Sequence, residues 1–204
     1  IAARIYKPYD QVEIKLWEKF TMARMPNVDI DNLTTDQEIF RDKLVASPRG
    51  EIRGPFLPLL HHPVLGDLIQ QVGAQLRFNG VLPGKLRELA IIITARHWTA
   101  QYEWFAHRRI AETEGLNPAI CDAIADRRKP TFDSDDEKIV FEFVTEMLAN
   151  DLRASDTTFA EALERFGPDG VVEINSLCGF YGLIGSVLNN FDVEVPGGEK
   201  PLKP

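Results

Sequence analysis

Apolar and polar positions recur along most of this chain with a period near 3.6, the mark of amphipathic helices packed on a shared core. Over residues 10–25 the stripe is Val12, Leu16, Phe20 and Met22-Ala23, and Pro26 stops it. Thr34 or Thr35 caps a second helix with Ile39, Phe40, Leu44 and Val45 on one face, ended by Ser47-Pro48-Arg49-Gly50. A third helix starts at His62-Pro63 and runs to about Phe78, with Leu65, Leu68, Ile69, Val72 and Leu76 expected inward and Asn79-Gly80 closing it. Pro83 sits at the first turn of a fourth helix, whose apolar side is Leu86, Leu89, Ala90, Ile93 and Thr94. After a break at His97-Trp98-Thr99, a fifth helix over residues 100–114 turns Ala100, Glu103, Trp104, His107, Ile110 and Ala111 to one side. That side is the inward one, yet it contains an acid and a histidine.

Shorter signals complete the pattern. A helix over 118–125 precedes the polar run DRRKPTFDSDDEK, in which Ser134 and Glu137 form an S-x-x-E capping box for a helix to residue 150. Ser155 or Asp156 caps the next helix, Gly167-Pro168 breaks it, and VVEINSLCGFYGLIGSVLNNF reads as a final buried helix. Its Gly179, Gly182, Gly185 and Ser186 would permit close helix–helix approach, each glycine costing about 1 kcal/mol relative to Ala. The stretch GEIRGPFLPLLHHPVLG is rich in Gly and Pro but apolar, which fits an ordered irregular connection. Only VEIN and VEVP hint at period two. The expectation is an all-α fold of about eight helices, and no composition shift divides residues 1–204 into independent domains.

The totals narrow the class. The chain has 204 residues, 44% hydrophobic and 26% charged, ordinary for a globular domain with ample core. A net charge of −8 argues against a nucleic-acid or anionic-membrane partner, and Arg127-Arg128-Lys129 is too short to reverse that. Cys121 and Cys178 form neither a C-x-x-C nor a zinc-like spacing and are expected as free thiols. With no sustained apolar signal region and no long uninterrupted apolar window, a cytoplasmic protein is expected.

The chemistry concentrates in RELAIIITARHWTAQYEWFAHRRIAETEGL, residues 87–116. Glu103 and His107 are four apart, hence stacked on one helical face, and form a usable proton-transfer pair to which Glu88 can add a third group. Glu88 could equally be a first-turn acid favoured by the helix dipole, and the Glu–His pair could merely stabilise its helix. Burial distinguishes them, because an acid on an apolar stripe must be paired or face a polar cavity. Adjacent His61 and His62 point in different directions and make a poor metal site; Tyr181 and Cys178 read as core.

The same stretch, with PFLPLLHHPVLGDL before it, resembles the carboxymuconolactone decarboxylase family, which includes the alkylhydroperoxidase-like proteins. The resemblance covers residues 54–125 as a family core, with 1–53 as an N-terminal helical extension and 134–190 as C-terminal helices resembling longer members. It implies an all-α, multi-helix alkylhydroperoxidase-like bundle that assembles as a homo-oligomer: a dimer, trimer or hexamer. In the peroxidase branch an acid on one helix is followed by C-x-x-C-x-x-x-H on the next. Here the acid falls on Glu88 and the histidine on His107, but the cysteine positions hold Ala100 and Glu103. Dithiol peroxide reduction needs both thiols, so the resemblance favours the decarboxylase-like branch.

That reading makes His107, Glu103 and Glu88 catalytic, with Tyr102, Trp104, Arg96 and Arg53 as substrate contacts. The substrate would be a small organic acid or carboxylated lactone, with no cofactor and no metal, and with neither nucleic acid nor membrane as partner. His107 would donate the proton, Glu103 would orient it or act as a second acid/base group, and an arginine (Arg53, Arg96 or Arg108) would hold a carboxylate. The alternatives are an alkylhydroperoxidase- or peroxiredoxin-type antioxidant activity, disfavoured without the cysteine pair, and a non-catalytic helical oligomer.

Overall fold

The computed structural model describes residues 24–204, so the helix expected over 10–25 lies outside the described residues except for its last two positions. Among the described residues there are eight helices and no strand: α1 Thr35–Ala46, α2 Phe56–Leu59, α3 Pro63–Phe78, α4 Gly84–His97, α5 Gln101–Thr113, α6 Pro118–Ala125, α7 Asp135–Ala149 and α8 Asp156–Asn190. A 3₁₀ turn at Pro196–Gly198 follows. The all-α expectation is met, and the irregular connection contains one helical turn, α2.

Local chemistry sets the helix starts. Thr34 Oγ1 accepts from Gln37 N while Gln37 Oε1 accepts from Thr34 N, a complete capping box at α1. At α7 only half of the expected box forms. Ser134 Oγ accepts from Glu137 N, but the Glu137 carboxylate turns to Asp133 N and to the Lys85 ammonium. Gly167, with φ 68°, bends α8, and Pro168 restarts it where its missing N–H costs little.

α4 is the central helix. From Glu88 to Arg96 every residue is buried, because α5, α7 and α8 pack around it and Leu89, Ile91 and Ile92 leave it no polar face. Fully burying side chains of this size contributes about 1.5–3 kcal/mol each. Its approach is pinned by the buried Glu173 of α8, whose carboxylate accepts from Val81 N at 2.5 Å and Leu82 N at 3.3 Å. Gly80 leaves room for that carboxylate; a Cβ there would collide with it. The loop is thus tied down just before Glu88.

Two packing expectations need correction. On α3, Leu65, Leu68 and Val72 are exposed rather than inward, and only Leu76 of the expected set is fully buried. The buried side is instead Gly66, Gln70, Gly73 and Leu76, because the glycines admit the rings of Phe40 and Phe180. On α8, Gly182 and Gly185 face Trp98 and Ala100 as anticipated, whereas Gly179 has nothing close and Ser186 is exposed. α8 is long and apolar enough to cross a membrane by length and composition, but half of its most apolar window is buried in this fold.

Candidate active site

α4 and α5 meet at an ionised cluster. Glu88, from the second turn of α4, projects toward α5, whose inward stripe carries Glu103 and His107 one turn apart. The three side chains are almost wholly removed from solvent, at 1%, 4% and 5% exposure. His107 Nδ1 is hydrogen-bonded to Glu88 Oε2 at 2.7 Å. On its other side Nε2 lies 3.2 Å from Glu103 Oε2, close enough for an ion pair but too far off axis for a hydrogen bond, so that oxygen accepts none. A histidine clamped between two carboxylates is the arrangement that the spacing of Glu103 and His107 anticipated, with Glu88 delivered by the preceding helix.

Electrostatics decides the protonation state. Burial opposes charge on His107, but Glu88 and Glu103 together outweigh it and raise its pKa above 6.5. Burial likewise opposes the Glu88 carboxylate, yet His107, Arg77 and Arg87 hold it below its ordinary 4.5. Between about pH 4.5 and 6.5 the two shifts together favour a Glu88 carboxylate beside a His107 imidazolium.

A tyrosine and two arginines, none of them assigned to the site from sequence, act on this cluster, and a third arginine, Arg49, lies within electrostatic reach of the tyrosine. Tyr181 of α8 stands edge-on to His107, with ring centres 4.9 Å apart. Expected as core, it is buried but also forms a wall of the site, and burial pushes its phenol well above the usual range. Tyr181 lies within electrostatic reach of Arg77 and Arg49, and Arg77 also acts on Glu88. Arg87 Nε is 3.7 Å from Glu88 Oε1. Arg49 rests between the Phe56 and Phe78 rings at 5.2 and 5.4 Å, with Gln70 as a long-range partner at 3.3–3.4 Å. Burial and the like charge of Arg77 depress the Arg49 guanidinium to about 10. No sequence motif marks Arg49; the signal available was a basic residue at the start of an apolar, Gly/Pro-rich segment.

Among the described residues four buried side-chain polar atoms lack a hydrogen bond: Arg49 Nε, Arg87 Nε, Glu103 Oε2 and Glu137 Oε1. Glu137 has the Lys85 ammonium at 2.7 Å. The other three belong to the cluster or to the arginines around it. Buried polar groups are normally satisfied, so such a concentration calls for an explanation.

The remaining expected site residues are not brought together here. Trp104 is 1% exposed in the main core, and Tyr102 packs on Gly54 and in an apolar cluster with Ile184 and Leu188. Arg96 spends its nitrogens on Ala125 O, Thr99 Oγ1 and Lys203 O at the far end of α4. Arg53 is half exposed and paired with Glu51, and Arg108 is taken by Glu112 and Asp122. Tyr102, Trp104, Arg96 and Arg53, expected as substrate contacts, therefore each have packing or polar partners of their own in this fold. Cys121 and Cys178 are free and buried, and burial raises their thiols to about 11 and 12, so neither is a ready thiolate. No group of three or more potential metal ligands occurs among the described residues. His61 Nε2 instead meets Pro26 O, and His62 caps α3.

Comparison with known proteins adds the fold. No family model matches the chain, and no curated protein matches it. A solved structure described as an alkylhydroperoxidase AhpD core, an uncharacterized peroxidase-related protein from Ralstonia eutropha JMP134, superposes with a TM-score of 0.72 at 18% identity. The match covers 86% of this chain and 93% of that one. The fold is alkylhydroperoxidase-like.

Proposed function

We propose that the protein is a carboxymuconolactone decarboxylase-like lyase that handles protons on a small carboxylated lactone or related organic acid. The observation that carries this reading is His107 held between the buried Glu88 and Glu103 side chains, at 2.7 and 3.2 Å, with unsatisfied polar atoms on Glu103 and Arg87 beside it. In the proposed step the bond to the departing carboxylate breaks and CO₂ leaves. The electron pair passes into the lactone carbonyl as a dienolate. His107 then delivers a proton to carbon and is reprotonated from water, while the Glu103 carboxylate orients the ring. Glu88 keeps the ring charged and oriented. Arg49, with Nε unsatisfied and the Tyr181 phenol within its field, is the arginine suited to hold a non-departing carboxylate.

One observation favours a different reading. The cluster is nearly sealed, with its three side chains at 1–5% exposure, which is what a purely structural ion cluster would show. His107→Gln separates the two. Loss of at least a hundredfold in CO₂ release from carboxylated lactones, with the fold retained, supports the lyase; undiminished turnover rejects it. If no carboxylated lactone or β-keto acid is turned over by the unmodified protein, the structural reading stands.

We also propose assembly as a homo-oligomer. The exposed stripe Val64, Leu65, Leu68 and Val72 on α3 supports it, being an apolar face that nothing among the described residues covers. Sedimentation of Leu68→Glu against the parent tests this; an unchanged mass distribution contradicts it.

A further inference from the structure

At the C-terminal end of α4, eight residues and about 12 Å beyond Glu88 by helical rise, the surface opens into a cleft of about 220 Å³. Arg96, His97, Arg127, Arg128 and Lys129 line it. Five basic side chains around one small cleft are unexpected in a chain of net charge −8.

Ordinary structural roles account for only some of them. Arg96 is consumed by the carbonyls of Ala125 and Lys203 and by Thr99, which ties the C-terminal segment to α4. Arg128 pairs with Asp126 and Lys129 with Glu142, all four at least partly exposed, and such pairs are weak. Among the described residues Arg127 has no carboxylate partner; its hydrogen bond, at 3.1 Å, goes to the Thr99 hydroxyl that Arg96 also uses. Two guanidinium groups therefore converge on one neutral oxygen.

Two helix ends bring them there. Thr99 and Arg127, with φ 49° and 57°, are the left-handed residues that close α4 and α6, where Ala100 N bonds Ala95 O and Arg128 N bonds Ala123 O, each at 2.8 Å. Burial and the charge of Arg127 depress both Arg96 and His97, so an arriving anion would relieve an existing repulsion. Opposite the bases, Phe141 and Leu148 supply an apolar wall. The volume is below that of a drug-sized pocket and suits a compact ligand.

We infer that this cleft binds a small amphiphilic anion, a phosphate monoester or carboxylate on an apolar body, with Arg127 and Lys129 on the anionic head and Phe141 and Leu148 against the body. The site is separate from His107 and holds whether or not the lyase reading does.

Calorimetric titration of the full chain with phenyl phosphate, benzoate and inorganic phosphate tests the inference. Phenyl phosphate or benzoate binds, the tighter of the two naming the head group, and inorganic phosphate binds at least tenfold more weakly because it cannot use the apolar wall. Arg127→Gly weakens the tighter ligand at least tenfold with little change in the unfolding midpoint, because glycine accepts φ 57°; Lys129→Gln weakens it by a smaller factor. The inference is overturned if neither aromatic anion binds, if inorganic phosphate binds as tightly, or if Arg127→Gly leaves affinity unchanged.

Discussion

Near its start α4 places Glu88 against a protonated histidine and, beyond it, a second carboxylate, in a space with almost no solvent. Near its end the same helix places Arg96 and His97 beside the exposed Arg127, where the guanidinium groups lean on neutral oxygens. The first arrangement bears a desolvation cost of several kcal/mol per ion and recovers it only through close opposite charges. The second also buries Arg96, but pairs it with neutral groups and sets it beside a like charge. Internal compensation suits a group that must move a proton without leaving its place. Uncompensated surface charge suits one that waits for an anion.

The largest effect expected from breaking this contrast comes at Glu88. Glu88→Gln leaves the His107 imidazolium without its nearest counter-charge, and stability measured by urea unfolding near pH 6 should fall by about 3–5 kcal/mol. The same measurement on Arg128→Gln, whose pair with Asp126 is exposed, should change by less than about 1 kcal/mol. Equal losses would erase the distinction between the two ends of α4.

Arg49→Gln comes next. If Arg49 holds a substrate carboxylate, losing a charge-assisted hydrogen bond of about 1.5–3 kcal/mol raises KM by roughly ten- to a hundredfold, with kcat altered little. Steady-state kinetics on a carboxylated lactone would show it, and an unchanged KM would remove Arg49 from the site. The smallest effect is on stability at the other end of the helix. Arg127→Gly should shift unfolding by no more than about 1 kcal/mol in either direction, since relief of the positive φ and the added chain entropy oppose one another. A larger loss would make Arg127 a structural residue rather than a ligand-binding one.

Much of this was legible in the sequence. Caps and breakers such as Thr34, Asn79, Ser155 and Gly167 lie where short-range chemistry put them. The spacing of Glu103 and His107 on an apolar stripe foretold a buried pair, because both facts are local to one helix. What was not legible depends on partners distant in the chain. The α3 stripe of Leu65, Leu68 and Val72 has a clear period, but periodicity does not say which side the rest of the fold will cover; here Gly66 and Gly73 accept the Phe40 and Phe180 rings instead. Arg49 and Tyr181 reach the cluster from well before and well after it in the chain, without a motif. Arg96, which does lie in the characteristic stretch, proved to be an anchor for backbone carbonyls.

Stability should also follow pH in a defined way. The pKa of His107 is raised in the fold, so its contribution is complete below its unfolded value of about 6.5 and is lost as pH rises through the folded value. The pKa of Glu88 is lowered, so its contribution is complete above about 4.5 and is lost as pH falls through the folded value. Together they are most stabilising between about pH 4.5 and 6.5, and His107→Gln should flatten the profile on the basic side.

The charge state of His107 tests the central claim most directly. Titration of its imidazole by ¹⁵N NMR in the full chain should show the ring losing its proton at a pH above its ordinary 6.5, with both ring nitrogens protonated below that. Titration at or below 6.5 would contradict the account.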